Sequence, residues 1–280
     1  MDKITTMNIS FTKMHGLGND FMVIDAINQK ISLSSERIKQ LSDRHFGVGF
    51  DQLLLVEKTN LKNIDFKYRI FNADGSEVEQ CGNGARCFVK FVVDKGLTDK
   101  TEIFVETKNR NMRIKKMAEN AYCVNLGLPI FTPKDIPFNQ LKNENATYTV
   151  DGYQVGVVSM GNPHAVLIVN DINQEIESIA KKIQNSGDFP NGVNVNFVEI
   201  TDKSNITLRV YERGVGETLA CGSGACATVA YLDLIGRVNA KDKDILVSLK
   251  GGKLLIGVKE EDGVFMVGDA EFAFEGQIKI

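Results

Sequence analysis

The chain has 280 residues, of which 43% are apolar and 25% charged, a composition typical of one large folded domain or two ordinary ones. Its 36 acidic residues exceed the 33 basic ones and give a formal charge of −3, which argues against a nucleic-acid or anionic-membrane partner. No apolar run approaches the roughly 20 residues of a membrane span, and residues 1–10 lack the core of a signal peptide, so we expect a cytoplasmic protein.

The chain alternates between many short strands and a few helices. In the first half of the chain, the patterns predict a helix at 34–44, a strand at 65–71, a helix at 84–95 and a strand at 112–116. In the second half they predict a helix at 173–184, a strand at 206–211 and a helix at 224–235. A hairpin at 249–254, with its turn at Gly251-Gly252, and a strand at 267–280 complete the prediction. The helices at 84–95 and 224–235 each follow a glycine-rich cysteine motif. Both are strongly apolar, which indicates that they are buried.

The sequence contains an internal repeat. The stretch Cys81-Gly-Asn-Gly-Ala returns as Cys221-Gly-Ser-Gly-Ala at an offset of 140, and the strand before each copy matches at the same offset. Two further pairs keep the order at offsets of 143 and 142: Asn19 with Asn162, and Gln52 with Asn194. Matches in one order at nearly constant spacing predict two similar domains.

These patterns predict a mixed α+β (α/β) fold of two pseudo-symmetric, strand-rich domains, each wrapped around a central helix. The first domain is expected at 1–126 and the second at 127–266. The last stretch, 267–280, has no counterpart in the first copy and is expected to cross back and complete the first domain. Glycine and prolines punctuate 126–150, which is the expected junction.

Five cysteines are an odd number, and in a cytoplasmic protein they should be thiols. Cys123 lies in a strand-like stretch and fits a small buried apolar residue. Cys87 and Cys226 fall inside helices, where packing is the simplest role. The spacings are not those of a zinc site, so no metal is expected.

Cys81 and Cys221 have a different setting. Each follows a strand and precedes a Gly-x-Gly turn into a helix, where unpaired N–H groups attract anions and favour a thiolate. Inverting a stereocentre by proton transfer needs one group on each face of the carbon, and two thiols of opposite protonation can supply them. The N–H groups of Gly82, Asn83, Gly222 and Ser223 are candidates to stabilise the developing charge.

Specific motifs carry a resemblance to a known family. They are residues 14–21 (MHGLGNDF), 79–87 (EQCGNGARC), 161–164 (GNPH), 212–218 (ERGVGET) and 220–226 (ACGSGAC). Together they resemble the diaminopimelate epimerases, from about residue 11 to the C-terminus. The resemblance implies a two-domain isomerase that interconverts LL- and meso-2,6-diaminopimelate in lysine and peptidoglycan precursor synthesis, without a cofactor.

The resemblance also implies roles for particular residues. Cys81 and Cys221 would be the acid/base pair, and His164 and Glu212 would tune them. The substrate would be bound by Asn19, Gln52, Asn72, Gly82, Asn83, Asn162, Asn194, Glu212, Arg213, Gly222 and Ser223. Ser223 stands where many members of the family have threonine, a mild departure because the role needs its backbone N–H.

Three rival functions stay open at this point. A proline racemase or hydroxyproline epimerase would share the two cysteines but would not need to hold a second amino-acid end, so Arg213 and Glu212 speak against it. A thiol redox or metal protein would be separated by thiol titration and metal analysis. A binding module that lost its chemistry would not be expected to keep both cysteines. The sequence leaves monomer and homodimer open.

Overall fold

The computed structural model describes residues 8–79 and 81–279. Within these residues the chain divides into two compact units. Unit 1 is formed by the described residues up to Val124 together with those from Gly268 onward, and unit 2 by Asn125–Val267. No helix among the described residues is both long and apolar enough to cross a membrane.

Unit 1 is a set of strands packed against one buried helix. Its elements up to residue 125 are β1 (Asn8–Gly16), β2 (Asn19–Asp25), α1 (Ser35–Ser42), β3 (Gln52–Glu57), β4 (Phe66–Asn72), β5 (Glu77–Val78), α2 (Gly82–Asp94), β6 (Glu102–Glu106), β7 (Asn111–Ala118) and β8 (Ala121–Asn125). Strand β2 runs parallel to β3 and β4 parallel to β6, while the other neighbours are antiparallel. Helix α2 lies against β1, β2, β3 and β7.

Unit 2 repeats this plan. Its elements are a 3-10 helix (Pro133–Asp135), β9 (Thr147–Val150), β10 (Tyr153–Ser159), β11 (Pro163–Ile168), α3 (Glu177–Gln184), β12 (Asn194–Ile200), β13 (Asn205–Glu212), β14 (Gly216–Thr218), α4 (Gly222–Leu234), β15 (Ile245–Leu249), β16 (Gly252–Lys259) and β17 (Gly263–Gly268). The parallel pairs are β11 with β12 and β13 with β15, at the same places in the order as in unit 1. Helix α4 lies against β10, β11, β12 and β16. The mixed α+β prediction is confirmed.

The C-terminal strand β18 (Glu271–Lys279) pairs antiparallel with β1 in unit 1. Strand β10 of unit 2 is the equivalent of β1, and it pairs with β9. In the chain, β9 comes directly before β10, whereas β18 comes long after β1. The expectation that the C-terminal stretch has no counterpart is therefore wrong. Each unit has such a strand: β9 comes before the second copy in the chain, and β18 comes after it.

The stretch at 126–150 is more than a connection between copies. Phe138, Tyr148 and Val150 are buried in one apolar cluster with residues of β10, β11 and β12. Because these side chains leave water together, the stretch contributes to the hydrophobic stability of unit 2. Pro133 is itself buried, so this stretch is a packed segment rather than a linker.

Several predicted boundaries shift in the structure. Helices α2 and α4 begin two residues earlier than expected, at Gly82 and Gly222, because the preceding cysteine already acts as N-cap. Helix α3 begins at Glu177 instead of residue 173. In the hairpin, Leu249 pairs with Gly252, so Lys250 and Gly251 form the turn rather than two glycines.

Candidate active site

Cys81 and Cys221 occupy the same local position, the N-cap of the buried helix of their unit. Both have extended backbone angles, and the carbonyl of each accepts the first helical hydrogen bond. The Sγ atom of Cys81 accepts the N–H of Gly84 at 3.5 Å, and Sγ of Cys221 accepts the N–H of Gly224 at 3.4 Å. A sulfur that accepts a helix N-terminal N–H is stabilised as a thiolate, because the donor and the helix dipole favour negative charge.

Glycine is required where these helices start because the strands behind them lie very close. A Cβ on Gly84 would stand 2.5 Å from the Tyr68 hydroxyl and 3.2 Å from the Phe21 ring. A Cβ on Gly224 would stand 3.2 Å from Val210 and 3.3 Å from Asn196 Oδ1. The Gly-x-Gly pattern thus lets each helix N-terminus seat against its sheet.

In unit 1 the structure brings Cys81 together with two predicted substrate-binding residues. The thiol donates toward Oδ1 of Asn19 at 3.6 Å, and Nδ2 of Asn83 donates to the same oxygen at 3.4 Å. Gln52 and Asn72, from neighbouring strands, form a separate pair in which Gln52 Nε2 donates to Asn72 Oδ1 at 3.0 Å. Both side chains are partly buried, and their amide groups carry further donors and acceptors beyond this bond.

An ionic network that sequence reasoning missed supports Asn19. Nδ2 of Asn19 donates to Oδ2 of Asp51 at 3.0 Å, and the backbone N–H of Asp20 donates to the same oxygen at 3.1 Å. Arg44 bridges the carboxylates of Asp20 and Asp51, and Lys13 lies 2.6 Å from Asp20. Burial acts to raise the pKa of Asp20, but hydrogen bonds from Arg44 and Lys13 outweigh it and hold the pKa well below its usual range.

In unit 2 the group around Cys221 has a different composition. Its Sγ lies 3.5 Å from the hydroxyl oxygen of Ser223. That hydroxyl also lies 3.1 Å from Nε2 of His164 and accepts a hydrogen bond from Asn162 Nδ2 at 3.3 Å. The structure therefore places three of the predicted residues, Ser223, Asn162 and His164, in one hydrogen-bonded group with the cysteine.

His164 is fully buried and is held by Asn196, which was not predicted. Nδ2 of Asn196 donates to the Gly224 carbonyl and to the Thr228 hydroxyl, both at 3.0 Å, which fixes the amide. Its Oδ1 then faces Nδ1 of His164 at 3.2 Å, so Nδ1 carries the proton and Nε2 is left as an acceptor. Burial lowers the pKa of His164 to about 4, although the Asn196 hydrogen bond acts in the opposite direction. The imidazole is neutral at physiological pH.

The remaining predicted residues lie at the end of β13 and beside it. The backbone N–H of Arg213 donates to Asn194 Oδ1 at 2.9 Å, and its guanidinium donates to the carbonyl of Asn191. Glu212, the last residue of β13, accepts a hydrogen bond from Thr218 at 2.6 Å. The side chain of Arg213 lies over Gly192, whose φ of +73° and lack of a Cβ leave room for it.

The sequence held weak signals for the residues that were missed. Asn196 and Thr228 are polar side chains in otherwise apolar, buried elements, and such side chains need partners. Asp51 stands directly before Gln52, and Asp20 directly after Asn19. Cys87 and Cys226 are completely buried in α2 and α4, as their packing role predicted, whereas Cys123 is only half-buried.

The fold has known counterparts. The structure of a phenazine biosynthesis protein of the PhzF family from Bacillus anthracis is similar over 98% of this chain and 100% of its own, with a TM-score of 0.70 and 17% identity. A hydroxyproline epimerase from Agrobacterium vitis, solved with trans-4-hydroxy-L-proline, is similar over 97% of this chain and 91% of its own, with a TM-score of 0.70 and 13% identity. At these identities the likeness shows the fold alone, a fold class that includes a hydroxyproline epimerase.

The sequence narrows this class to one family. The family model described as diaminopimelate epimerase matches residues 11–132 and 156–273. A protein named diaminopimelate epimerase from Vesicomyosocius okutanii subsp. Calyptogena okutanii (strain HA) is 47% identical over 275 residues, which cover 98% of this chain and 100% of that protein. The chain belongs to the diaminopimelate epimerase family. This confirms the resemblance seen in the motifs and the expected enzyme class, an isomerase.

Proposed function

We propose that this protein interconverts LL- and meso-2,6-diaminopimelate by a two-thiol proton transfer, with Cys81 and Cys221 as the acid/base pair. One observation carries the mechanism: in a chain of this family, each of the two cysteines caps the buried helix of a repeated unit and accepts an N–H from that helix. A thiolate so placed removes the α-proton, and the other thiol delivers a proton to the opposite face.

Carbanion formation next to a carboxylate needs preorganised donors. The first turn of an α-helix has N–H groups with no partner inside the helix, and in α2 and α4 these belong to Gly82, Asn83, Gly222 and Ser223. In the proposed mechanism they hold the reacting carboxylate and stabilise the charge that develops on it. No metal or organic cofactor is required by this scheme.

The distal amino-acid end of the substrate would be held by the other predicted residues. Arg213 supplies a planar fork for the distal carboxylate, with Asn194 bonded to its backbone and Asn72 assisting. Glu212 supplies an acceptor for the distal ammonium group. Contacts on several sides of one carbon select its configuration, so LL and meso isomers should react and the DD isomer should not.

A cytoplasmic location is part of the proposal. The mechanism needs reduced thiols, and a reducing compartment keeps them so. No nucleic-acid or membrane partner is proposed, in keeping with the small acidic surplus of the chain.

The direct test is incubation with LL-diaminopimelate in D₂O, following isomer composition and α-deuterium together. Each inverted centre should carry deuterium from solvent, because the proton delivered comes from a thiol that exchanges with water. A parallel incubation with trans-4-hydroxy-L-proline tests the rival substrate class of the same fold. Turnover of hydroxyproline without turnover of diaminopimelate would overturn the proposed substrate.

A further inference from the structure

The two cysteines occupy equivalent positions but have different neighbouring side chains. The registers of the parallel strand pairs show which residues of the two units correspond. In unit 1, Phe21 of β2 pairs with Gln52 of β3, and in unit 2, His164 of β11 pairs with Asn194 of β12. Asp51, one residue before Gln52, therefore corresponds to Val193. The carboxylate that holds Asn19 in unit 1 has no equivalent beside Asn162.

The amide of Asn19 is locked in one orientation. Its Nδ2 donates to Asp51, whose other oxygen lies 2.7 Å from Arg44. Rotating the amide by half a turn would set its oxygen against a carboxylate oxygen, so that two acceptors faced each other. Oδ1 of Asn19 is thus held toward Cys81, where it can accept a proton from a thiol but cannot stabilise a thiolate.

The group facing Cys221 is adjustable instead. The hydroxyl of Ser223 can rotate. The amide of Asn162 lies with Oδ1 3.1 Å from Nε2 of His164 and with Nδ2 3.3 Å from the Ser223 hydroxyl. Because Nε2 of His164 is an acceptor, a half-turn of this amide replaces an oxygen that faces an acceptor with a donor. When Asn162 donates to Nε2 of His164, the Ser223 hydroxyl is available to donate to the sulfur at 3.5 Å. A donor toward the sulfur stabilises the thiolate.

Charged groups lie in both units. In unit 1 the buried guanidinium of Arg86 acts on the neighbouring thiol of Cys87, and in unit 2 Arg213 acts on His164 while Glu212 accepts a hydrogen bond from Thr218. Burial raises the pKa of Tyr68, behind Cys81, and of Cys87 in α2 well above their usual ranges, so both stay neutral. The carboxylates of Asp20 and Asp51 are balanced by two cations. On the other side, His164 is neutral because its pKa is lowered to about 4, chiefly by burial.

We infer that the free enzyme carries its proton on Cys81 and its negative charge on Cys221, and that Asp51 sets this state as a positioning residue by fixing the amide of Asn19. The inference rests on the proposed two-thiol function, which needs one thiol and one thiolate but does not say which. Under this assignment Cys221 is the base for whichever isomer presents its α-proton to unit 2. The opposite isomer reacts only with the less stable protonation state, in which Cys81 is the thiolate and Cys221 the thiol.

Site-specific alkylation tests the assignment without needing turnover. The protein is pulsed with iodoacetamide across a pH series, and each cysteine is quantified by mass spectrometry after trypsin digestion. Arg86 lies between Cys81 and Cys87, so trypsin separates them, while fragmentation separates Cys221 from Cys226. The pH midpoint is compared rather than the rate, because Cys221 is only 6% exposed and reacts more slowly for that reason alone.

In the unmodified protein the midpoint of Cys221 should lie at least about one pH unit below that of Cys81, the size of shift that one hydrogen bond or nearby charge produces. Asp51→Asn should lower the Cys81 midpoint and narrow the gap, whereas Asp51→Glu, which keeps the acceptor, should not. The side chain of Asp51 is 45% exposed, so neither change disturbs a core. Asp99→Asn removes an exposed carboxylate of the same unit and controls for net charge.

A double-mutant cycle separates positioning from simple charge. In an Asn19→Ala background Asp51→Asn should have no further effect on the Cys81 midpoint, because no amide is left to orient. An equal shift in both backgrounds would overturn the positioning role, and a Cys81 midpoint at or below that of Cys221 would overturn the assignment itself. If diaminopimelate did not react while the midpoints behaved as expected, the proposed substrate would fail and the protonation assignment would stand.

Discussion

Nδ1 of His164 lies 3.2 Å from Oδ1 of Asn196, with both side chains fully buried in unit 2. Asn196 is fixed in turn by the Gly224 carbonyl at the start of α4. The helix that carries Cys221 at its N-cap is thereby tied to the imidazole through one amide. This relationship fixes the tautomer of His164, while burial of the imidazole makes its protonation costly.

The first prediction concerns stability below neutral pH. The pKa of His164 is lowered from 6.5 to about 4, so between these values the unfolded chain binds a proton that the folded protein resists. Stability should therefore fall as pH drops from about 6.5 toward 4, by about 2–3 kcal/mol in all. Urea unfolding of the wild type and of His164→Gln at pH 7 and pH 4.5 measures it. An equal loss in both proteins would contradict the assignment to His164.

The second prediction concerns the two thiols. Cys81→Ala and Cys221→Ala should each abolish interconversion of diaminopimelate, because either change removes one of the two proton-transfer groups. Cys123→Ala is the matched control, since it removes a half-buried thiol from β8 and should leave the rate unchanged. Circular dichroism checks that each variant folds. Full activity in either of the first two variants would refute the two-thiol mechanism.

The third prediction tests the placement of Arg213. A Cβ on Gly192 would stand 2.5 Å from Cδ of Arg213, so Gly192→Ala should displace the guanidinium. We expect kcat/KM for diaminopimelate to fall by about tenfold or more, the scale of one lost binding contact. Gly187→Ala is the control, because Gly187 also has a positive φ but has open space around it.

Both glycine variants should lose about 1 kcal/mol of stability from the left-handed backbone. Only the Gly192 variant should lose catalytic efficiency. Equal kinetics in the two would show that the guanidinium position does not matter for the substrate.

The fourth prediction concerns the seating of α2. Gly84→Ala would press a methyl group against the Tyr68 hydroxyl, which should cost about 1–3 kcal/mol of stability as overpacking. Tyr68→Phe removes that oxygen and should restore part of the loss when combined with Gly84→Ala. Thermal unfolding of both single variants and the double variant measures this coupling. Additive losses would mean that the hydroxyl is not the obstacle.

Much of the fold and of the candidate site could be predicted from the sequence, because those features are local. The repeat was visible as an ordered series of matches, and helices α2 and α4 followed from apolar stretches after Gly-x-Gly. Their exact starts were missed by two residues, since a cysteine is not among the usual N-cap residues. Strand β9 as the counterpart of β18 was missed because a pairing partner is not a property of either strand alone.

The sequence by itself determined the two units, their cysteines and the family to which the chain belongs. Only the tertiary structure decided which side chains orient the cysteines' neighbours. Parallel pairing of β2 with β3 brings Asp51 to Asn19, 32 residues away, and pairing of β11 with β12 brings Asn196 to His164, also 32 residues away. An amide is oriented by whichever group the fold sets beside it, and hydrogen bonds reach only about 3 Å, so its direction is settled by packing rather than by sequence pattern.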